Sequence, residues 1–279
     1  MFKINEILMK RQLVSGVKEI IIFAPMVSRA AKAGQFVTIM TDEKGERVPM
    51  TLVDWSATEG WIKIVISEVG LTTLKLGSKE VGETLYYLAG PFGNPVSELN
   101  SSTIVLVGGG VGVPAIYPIA RSLSRNNRVI SIIGYKNANS ILYEREIGEV
   151  SDEVIIATDD GSKGQKGFTS DALRGLLDSG RNVDAVWAIG PAMMMKACSE
   201  VTRPYAIKTF ASLNSITVCG SGMCGACRVS VGGKTKYTCM DGPEFDAHEV
   251  NWDELILRLG AYKEEEKRAL GRYILRSAN

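Results

Sequence analysis

Thr103-Ile104-Val105-Leu106-Val107-Gly108-Gly109-Gly110-Val111-Gly112-Val113-Pro114 is the stretch whose reading decides the fold. Its first five residues form an uninterrupted uncharged run, as expected of a strand buried on both faces in a parallel sheet. A glycine turn follows, and residues 113–123 then take up helical spacing. Glycines let a backbone approach a pyrophosphate, and a helix N-terminus favours the negative charge. The loop departs from G-x-G-x-x-G, because Val113 occupies the third glycine position. Nor does an acid stand about 20 residues on, near Arg128. Taken alone, the loop reads equally well as a bare turn.

Outward from this loop the rhythm continues. Apolar runs at 129–133, 154–157 and 186–189 alternate with helical segments. That order implies a parallel sheet with right-handed crossovers. Ligands of such sheets lie beyond the carboxyl ends of the strands. Thr158-Asp159-Asp160-Gly161-Ser162 and Gly190-Pro191-Ala192-Met193-Met194 follow two of those ends, so three loops fall on one edge. Asp159-Asp160 also reads as a solvated turn, and most of the Met run as core.

Gly90-Pro91-Phe92-Gly93-Asn94-Pro95 is a dense breaker cluster and predicts the domain boundary. Ahead of it lie Glu19-Ile20-Ile21-Ile22-Phe23, Gln35-Phe36-Val37-Thr38-Ile39-Met40 and Trp61-Ile62-Lys63-Ile64-Val65-Ile66, short strands punctuated by turns such as Asp42-Glu43-Lys44-Gly45. Many short strands in such a length predict a small antiparallel barrel, with 71–76 as one short helix.

Cys219, Cys224, Cys227 and Cys239 are spaced C-x4-C-x2-C-x11-C, the plant-type [2Fe–2S] spacing. Three ligands on one short loop need tight turns, which Gly220, Gly222 and Gly225 supply. A hairpin turning at Gly232-Gly233 carries Cys239 back to the loop. Structural zinc sites favour two C-x2-C pairs, which this array lacks. Cys198, within a helical stretch, reads as a small buried hydrophobe.

The 279 residues hold 32 Lys plus Arg against 31 Asp plus Glu, a net charge of +1 that gives no general pull toward nucleic acid or anionic lipid. The one histidine, His248, removes most triad mechanisms and multi-histidine metal sites. No apolar run is long enough to span a bilayer, and the start lacks a secretion signal. A cytoplasmic protein with reduced cysteines is expected.

One more motif completes the set: Glu46-Arg47-Val48-Pro49-Met50-Thr51, followed by Val69-Gly70-Leu71-Thr72-Thr73. Alone, Arg47 reads as a surface ion pair. In order, R-x-P-x-T, G-x-T-T, G-P-F-G, the glycine loop, G-P-x-M-M and the late cysteines resemble the ferredoxin–NADP reductase superfamily. Within it, the chain is similar to the electron-transfer subunits of dihydroorotate dehydrogenase. It is more similar to the small subunits of NADH-dependent reduced ferredoxin:NADP oxidoreductase, also called sulfide dehydrogenase. Met223-Cys224-Gly225-Ala226-Cys227-Arg228 and Asp241-Gly242-Pro243-Glu244-Phe245-Asp246-Ala247-His248 carry that choice. Some close members have aspartate where this chain has Cys219, so here all four ligands can be thiolates.

The resemblance implies three parts: an FAD-binding barrel at 1–97, a parallel-sheet nicotinamide-nucleotide domain at 98–212, and a [2Fe–2S] segment with a C-terminal helix at 213–279. It implies that Arg47 pairs with the FAD pyrophosphate, that Pro49, Met50 and Thr51 line the isoalloxazine, and that Val65, Ile66 and Ser67 touch the flavin and ribityl side. Gly70, Thr72 and Thr73 fall at the pyrophosphate. Gly108, Gly109, Gly110, Gly112, Thr158, Asp159, Gly190 and Met194 face NAD or NADP. Lys136 and Arg121 are candidates for a 2′-phosphate contact or ordinary surface residues. The implied activity is NAD(P)H/ferredoxin oxidoreduction through cofactors, with no catalytic side chain. The implied partners are a larger flavin and iron–sulfur subunit in a heterodimer or higher assembly, and ferredoxin through an electron-bifurcating complex. The other readings are a dihydroorotate dehydrogenase subunit and a non-enzymatic redox sensor.

Overall fold

The computed structural model describes residues 2–277. Its N-terminal part runs β1 (Ile7–Val14), β2 (Val17–Phe23), α1 (Pro25–Ala30), β3 (Phe36–Met40), β4 (Val48–Thr51), β5 (Asp54–Ser56), β6 (Trp61–Ser67), α2 (Leu71–Ser78) and β7 (Tyr87–Phe92). These strands form two antiparallel sheets, ordered β1-β2-β6-β5 and β4-β3-β7, so the expected barrel is barrel-like but not closed. One core joins them: Ile20, Ile22, Ile62 and Ile64 face Val37, Ile39 and Leu52. Alternation along β6, with Ile62, Ile64 and Ile66 inward, is the period of a half-buried strand. The breaker cluster is partly strand, because Gly90, Pro91 and Phe92 end β7.

The middle part runs β8 (Thr103–Gly109), α3 (Val113–Leu123), β9 (Arg128–Tyr135), α4 (Glu144–Gly148), β10 (Glu153–Thr158), β11 (Gln165–Lys166), α5 (Thr169–Asp178), β12 (Ala185–Ile189), α6 (Ala192–Thr202) and β13 (Lys208–Ser212). Strand order is β11-β10-β9-β8-β12-β13, with one further strand from the last part at the β13 edge, and the sheet is parallel from β10 through β13. The order reverses between β8 and β12, and that switch point is where doubly wound sheets open a ligand crevice. Ile104 and Leu106 pack against α3, while Val105 and Val107 face α5 and α6. Burial on both faces explains why β8 reads as a continuous apolar run.

The last part holds β14 (Arg228–Val231), β15 (Lys234–Tyr237), β16 (Glu244–Asp246), α7 (Trp252–Leu259) and α8 (Lys263–Ser277). The expected hairpin at Gly232-Gly233 is present. β16 is the unexpected element, adding antiparallel to β13 at the edge of the nucleotide sheet. Val229, Phe245, Ala247, Val250 and Trp252 thereby join the core under that sheet. The expected single tail helix is two, divided at Gly260–Tyr262, where Tyr262 has φ 66.

Two polar contacts latch the barrel-like part to the nucleotide part. The Tyr143 hydroxyl donates to buried Glu19, and Arg121 donates to Asp54 at 2.8 Å. Arg121 also lies over the Trp55 and Tyr117 rings. It is thus an interdomain residue, bound to Asp54 rather than placed at the nucleotide cavity.

Candidate active site

At the switch point Gly112 approaches β12 so closely that a Cβ there would lie 2.2 Å from the Ile189 carbonyl oxygen. Only glycine fits that approach. It brings the loop after β8 against the loop after β12, and cavities open on either side of this pair.

The first cavity, about 450 Å³, lies between the barrel-like part and the sheet edge. Pro49, Met50 and Thr51 of β4 line it, as do Val65, Ile66 and Ser67 of β6, and Gly109, Gly110, Gly112 and Gly190. Residues not foreseen complete its far wall: Gly34, Phe36, Ser212, Leu213, Asn214, Thr217, Thr238 and Pro243. The second cavity, about 680 Å³, lies over the carboxyl ends of β9 and β10. Gly109, Gly110, Asp159 and Met194 line it, with Tyr135, Lys136, Phe168, Met193 and the barrel-side residues Val14, Ser15 and Val17. Gly109, Gly110, Val111 and Pro191 border both cavities. The end of β9 was findable from the rule that ligands lie beyond strand ends. Val14 to Val17 carry no local signal, since only tertiary packing brings that hairpin there.

Six expected contacts line neither cavity. Arg47 lies just before β4 with its guanidinium 4.5 Å above the Tyr87 ring, and it pairs with no carboxylate among the described residues. The Thr73 hydroxyl is engaged with the Gly70 backbone at the start of α2, and Thr72 is buried. Gly108 is inside β8, packed on Val113. Thr158 is fully buried, and its hydroxyl donates to the Lys163 carbonyl at 2.7 Å, shaping the loop that follows.

The cysteine loop lies beyond the far wall of the first cavity. Cys227 and Cys239 are buried, with sulfurs 3.2 Å apart, and pack on Phe36, Phe92 and Tyr237. Cys219 is buried and Cys224 exposed. Loop amides point at the sulfurs: Ser221 N–H and Cys224 N–H at Cys219, and Gly222 N–H at Cys239, 3.1 Å away. Gly222 has φ 77, the left-handed conformation that turns this amide inward. Burial works against the Cys219 thiolate, but hydrogen bonds from Cys224 and Ser221 outweigh it and bring the thiol down to about 6. Cys239 shifts upward through burial and its neighbour Cys227. Among the described residues no three candidate ligands converge as around one metal ion. A two-iron cluster instead takes four thiolates as one pair per iron, and a thiolate set with inward amides fits such a group. Cys198 is fully buried in α6, where burial pushes its thiol up to about 12, and it stays apart from this set.

Residues 214–251 match the family model of the iron–sulfur cluster binding domain of dihydroorotate dehydrogenase B. Over 97% of this chain and 96% of its own length, the dihydroorotate dehydrogenase B (NAD(+)) electron transfer subunit homolog of Thermotoga maritima is 43% identical. The chain belongs to the dihydroorotate dehydrogenase B electron-transfer subunit family. A member named as that electron transfer subunit, from Geobacillus, is 32% identical over 86% of this chain and 95% of its own. A chain of NADH-dependent reduced ferredoxin–NADP oxidoreductase, a structure that bears on flavin-based electron bifurcation, is 41% identical with a TM-score of 0.93, covering 98% of this chain and 99% of that one. A ferredoxin NADP+ reductase from Neisseria gonorrhoeae, solved with FAD and NADP, shares the fold at 15% identity and a TM-score of 0.59, over 72% of this chain and 90% of its own. Members of the electron-transfer subunit family are oxidoreductase components, and the name implies a partner subunit. Among the described residues no helix is long and apolar enough to cross a membrane.

Proposed function

We propose that this chain moves electrons between NAD or NADP, FAD and a [2Fe–2S] cluster, as the small subunit of a ferredoxin:NADP oxidoreductase complex that bifurcates electrons. One observation carries this reading. The two cavities share the wall Gly109 to Val111 with Pro191, and the cysteine loop adjoins the opposite wall of the first. A nucleotide in the second cavity, a flavin in the first and a cluster beyond it then stand in series. When bound, a flavin accepts a hydride and releases single electrons, which a one-electron cluster requires.

The chain's own residues bind, orient and exclude water. β4 and β6 wall the flavin cavity, and the free Arg47 fork suits a diphosphate, with Gly70, Thr72 and Thr73 at the nearby start of α2. Gly109, Gly110, Gly112 and Gly190 allow close approach across the shared wall, with Gly108 and Thr158 holding the strand ends that shape it. Asp159, Lys136 and Met194 face the nicotinamide nucleotide. Cys219 and Cys224 hold one iron and Cys227 and Cys239 the other, the second pair being already adjacent. Residues 1–97, 98–212 and 213–279 act as the flavin, nucleotide and cluster parts. The partner is a larger flavin and iron–sulfur subunit, through which ferredoxin exchanges electrons in the cytoplasm.

The match over 98% of the chain at a TM-score of 0.93 favours that complex. The cluster-domain match favours a second reading, a dihydroorotate dehydrogenase partner. Anaerobic purification from the native source tests both. The expected result is one FAD, two irons and two labile sulfides in this chain, with a larger flavin and iron–sulfur subunit bound. Orotate formation by the isolated complex supports the second reading, and zinc without labile sulfide overturns the cluster assignment.

A further inference from the structure

Glu244 has no task in the path just described, yet it stands where the three parts of the molecule meet. It is the first residue of β16, opposite Ser212 of β13. The two residues before it are stitched to the N-terminal part and to the chain leaving β13. The Gly242 carbonyl accepts from Asn94 N–H at 2.7 Å, and the Pro243 carbonyl accepts from Leu213 N–H at 2.9 Å. Pro243, Ser212 and Gly34 all line the flavin cavity.

The carboxyl is enclosed by neutral groups. Oε2 accepts from the Trp187 indole N–H at 3.1 Å. Oε1 is buried with no hydrogen-bond partner among the described residues. It points toward Gly34, where a Cβ would lie 3.4 Å away. The surrounding elements offer the Trp187 indole from β12, the Ser97 amide from the linker, Gly34 from the loop before β3, and Ser212 and Leu213 from the end of β13. None of these ionises near neutrality, and no cation pairs with Glu244 among the described residues. The neighbouring acids are engaged elsewhere. Asp241 accepts from the Tyr237 amide, and Asp246 from the His248 amide. Burial pushes the Glu244 carboxyl up to about 7, against the pull of the Trp187 hydrogen bond and the nearby Ser97 amide.

We propose that Glu244 is a redox-linked proton site, ionised when the flavin and cluster are oxidised and protonated when they hold electrons. The proposal rests on the flavin and cluster reading above. An electron added nearby in a medium of low dielectric raises the cost of a buried carboxylate. The electron comes from the reduced nicotinamide through the flavin. The proton comes from solvent, and one O–H bond forms on the carboxyl. When the electron leaves for the partner, that bond breaks and the proton returns to solvent. No other bond changes.

The test uses the anaerobically purified holoprotein and E244Q. Glutamine keeps an oxygen for the Trp187 donor but does not ionise. An all-thiolate [2Fe–2S] cluster carries no ionising proton of its own near neutrality, so the pH dependence of its reduction reports on the protein. EPR-monitored redox titrations are run from pH 6 to pH 9. In the parent, the cluster's reduction equilibrium should weaken by up to tenfold per pH unit above the carboxyl's oxidised-state pKa. In E244Q it should change at most twofold across the range. The reduced-minus-oxidised infrared spectrum of the parent should show a carboxylic-acid carbonyl band that E244Q lacks. Coincident pH profiles overturn the proposal while leaving the functional reading intact. If E244Q does not hold the cluster, the parent's infrared spectrum decides, and absence of the acid band overturns the proposal. A parent that binds neither flavin nor cluster overturns the functional reading, and this proposal with it.

Discussion

Arg47 is a guanidinium held over an aromatic ring with no carboxylate beside it. That leaves its donors for a ligand phosphate, where charged hydrogen bonds are each worth ~1.5–3 kcal/mol. Arg47→Ala should weaken FAD binding at least tenfold while the cluster's EPR signal persists; unchanged FAD affinity would reduce Arg47 to a surface residue stacked on Tyr87. Glu244 yields a second prediction through linkage. Its folded pKa, about 7, stands above the ordinary 4.5, so the folded chain binds the proton more tightly than the unfolded chain does. The resulting stability is fully present below pH 4.5 and is lost as pH rises through 7. The charged form costs about 3 kcal/mol at 1.36 kcal/mol per pK unit. Thermal unfolding of the parent should therefore soften between pH 4.5 and 7, and that of Glu244→Gln should not. Local chemical patterns were legible in the sequence: four cysteines at a ligand spacing, and glycines after a strand. Glu244 was legible only as a member of a motif. Its burial depends on β16 reaching β13 across more than thirty intervening residues, and no local pattern reports that.

Secondary elements were legible where burial leaves a period. The apolar run at 103–107 became β8, the helical spacing at 113–123 became α3, and the alternating run at 61–66 became β6. β1 and β13 were missed because polar residues interrupt them, and β16 because three residues carry no period. The barrel was over-read. Short strands announce an antiparallel region, but whether its two sheets close is set by edge pairing. Division of the tail into α7 and α8 follows from Gly260 and the left-handed Tyr262, a break that charge patterning does not show. Element packing is most exposed to test at Gly112, the N-cap of α3. Gly112→Ala puts a methyl 2.2 Å from a backbone oxygen of β12, which cannot swing aside like a side chain. Overpacking of this kind costs about 1–3 kcal/mol. The variant should lose that much by denaturant titration and bind nicotinamide nucleotide at least tenfold more weakly, since the shared wall moves. Wild-type binding with full stability would show that the loops after β8 and β12 part freely.

At the scale of the molecule, the three cores are not independent. Val17, Ala33, Val53 and Val96 from the N-terminal part pack into the core beneath α3, and the cluster segment completes the core on the other face. The cysteines are thereby fixed against the first cavity, and the surface beyond them faces outward. That surface is unusually apolar for a solvent-facing loop. Met223 is 85% exposed, Met240 54% and Val218 44%, around the exposed Cys224. Scattered exposed apolar residues need no explanation, but a group rimming a redox centre does. Thioether side chains are adaptable and suit a partner interface. Arg258 of α7 anchors the same loop from inside the chain by donating to the Ala226 carbonyl at 3.1 Å. Among the described residues α8 adds none to the buried cores, and it rests on α2, with Lys75 5.9 Å from the Tyr273 ring. The cluster face is therefore where electrons should leave for the partner subunit. Met223→Asp places a charge at the centre of that face without touching a ligand, because the side chain points to solvent. Association with the partner, read by co-purification and by titration of the isolated chains, should weaken at least tenfold. FAD content, iron content and diaphorase activity of the isolated chain should stay within twofold of the parent. If the complex instead assembles with parental affinity, the partner docks elsewhere, and the exposed flank of α8 becomes the surface to vary. If iron is lost together with assembly, Met223 shields the cluster rather than presenting it.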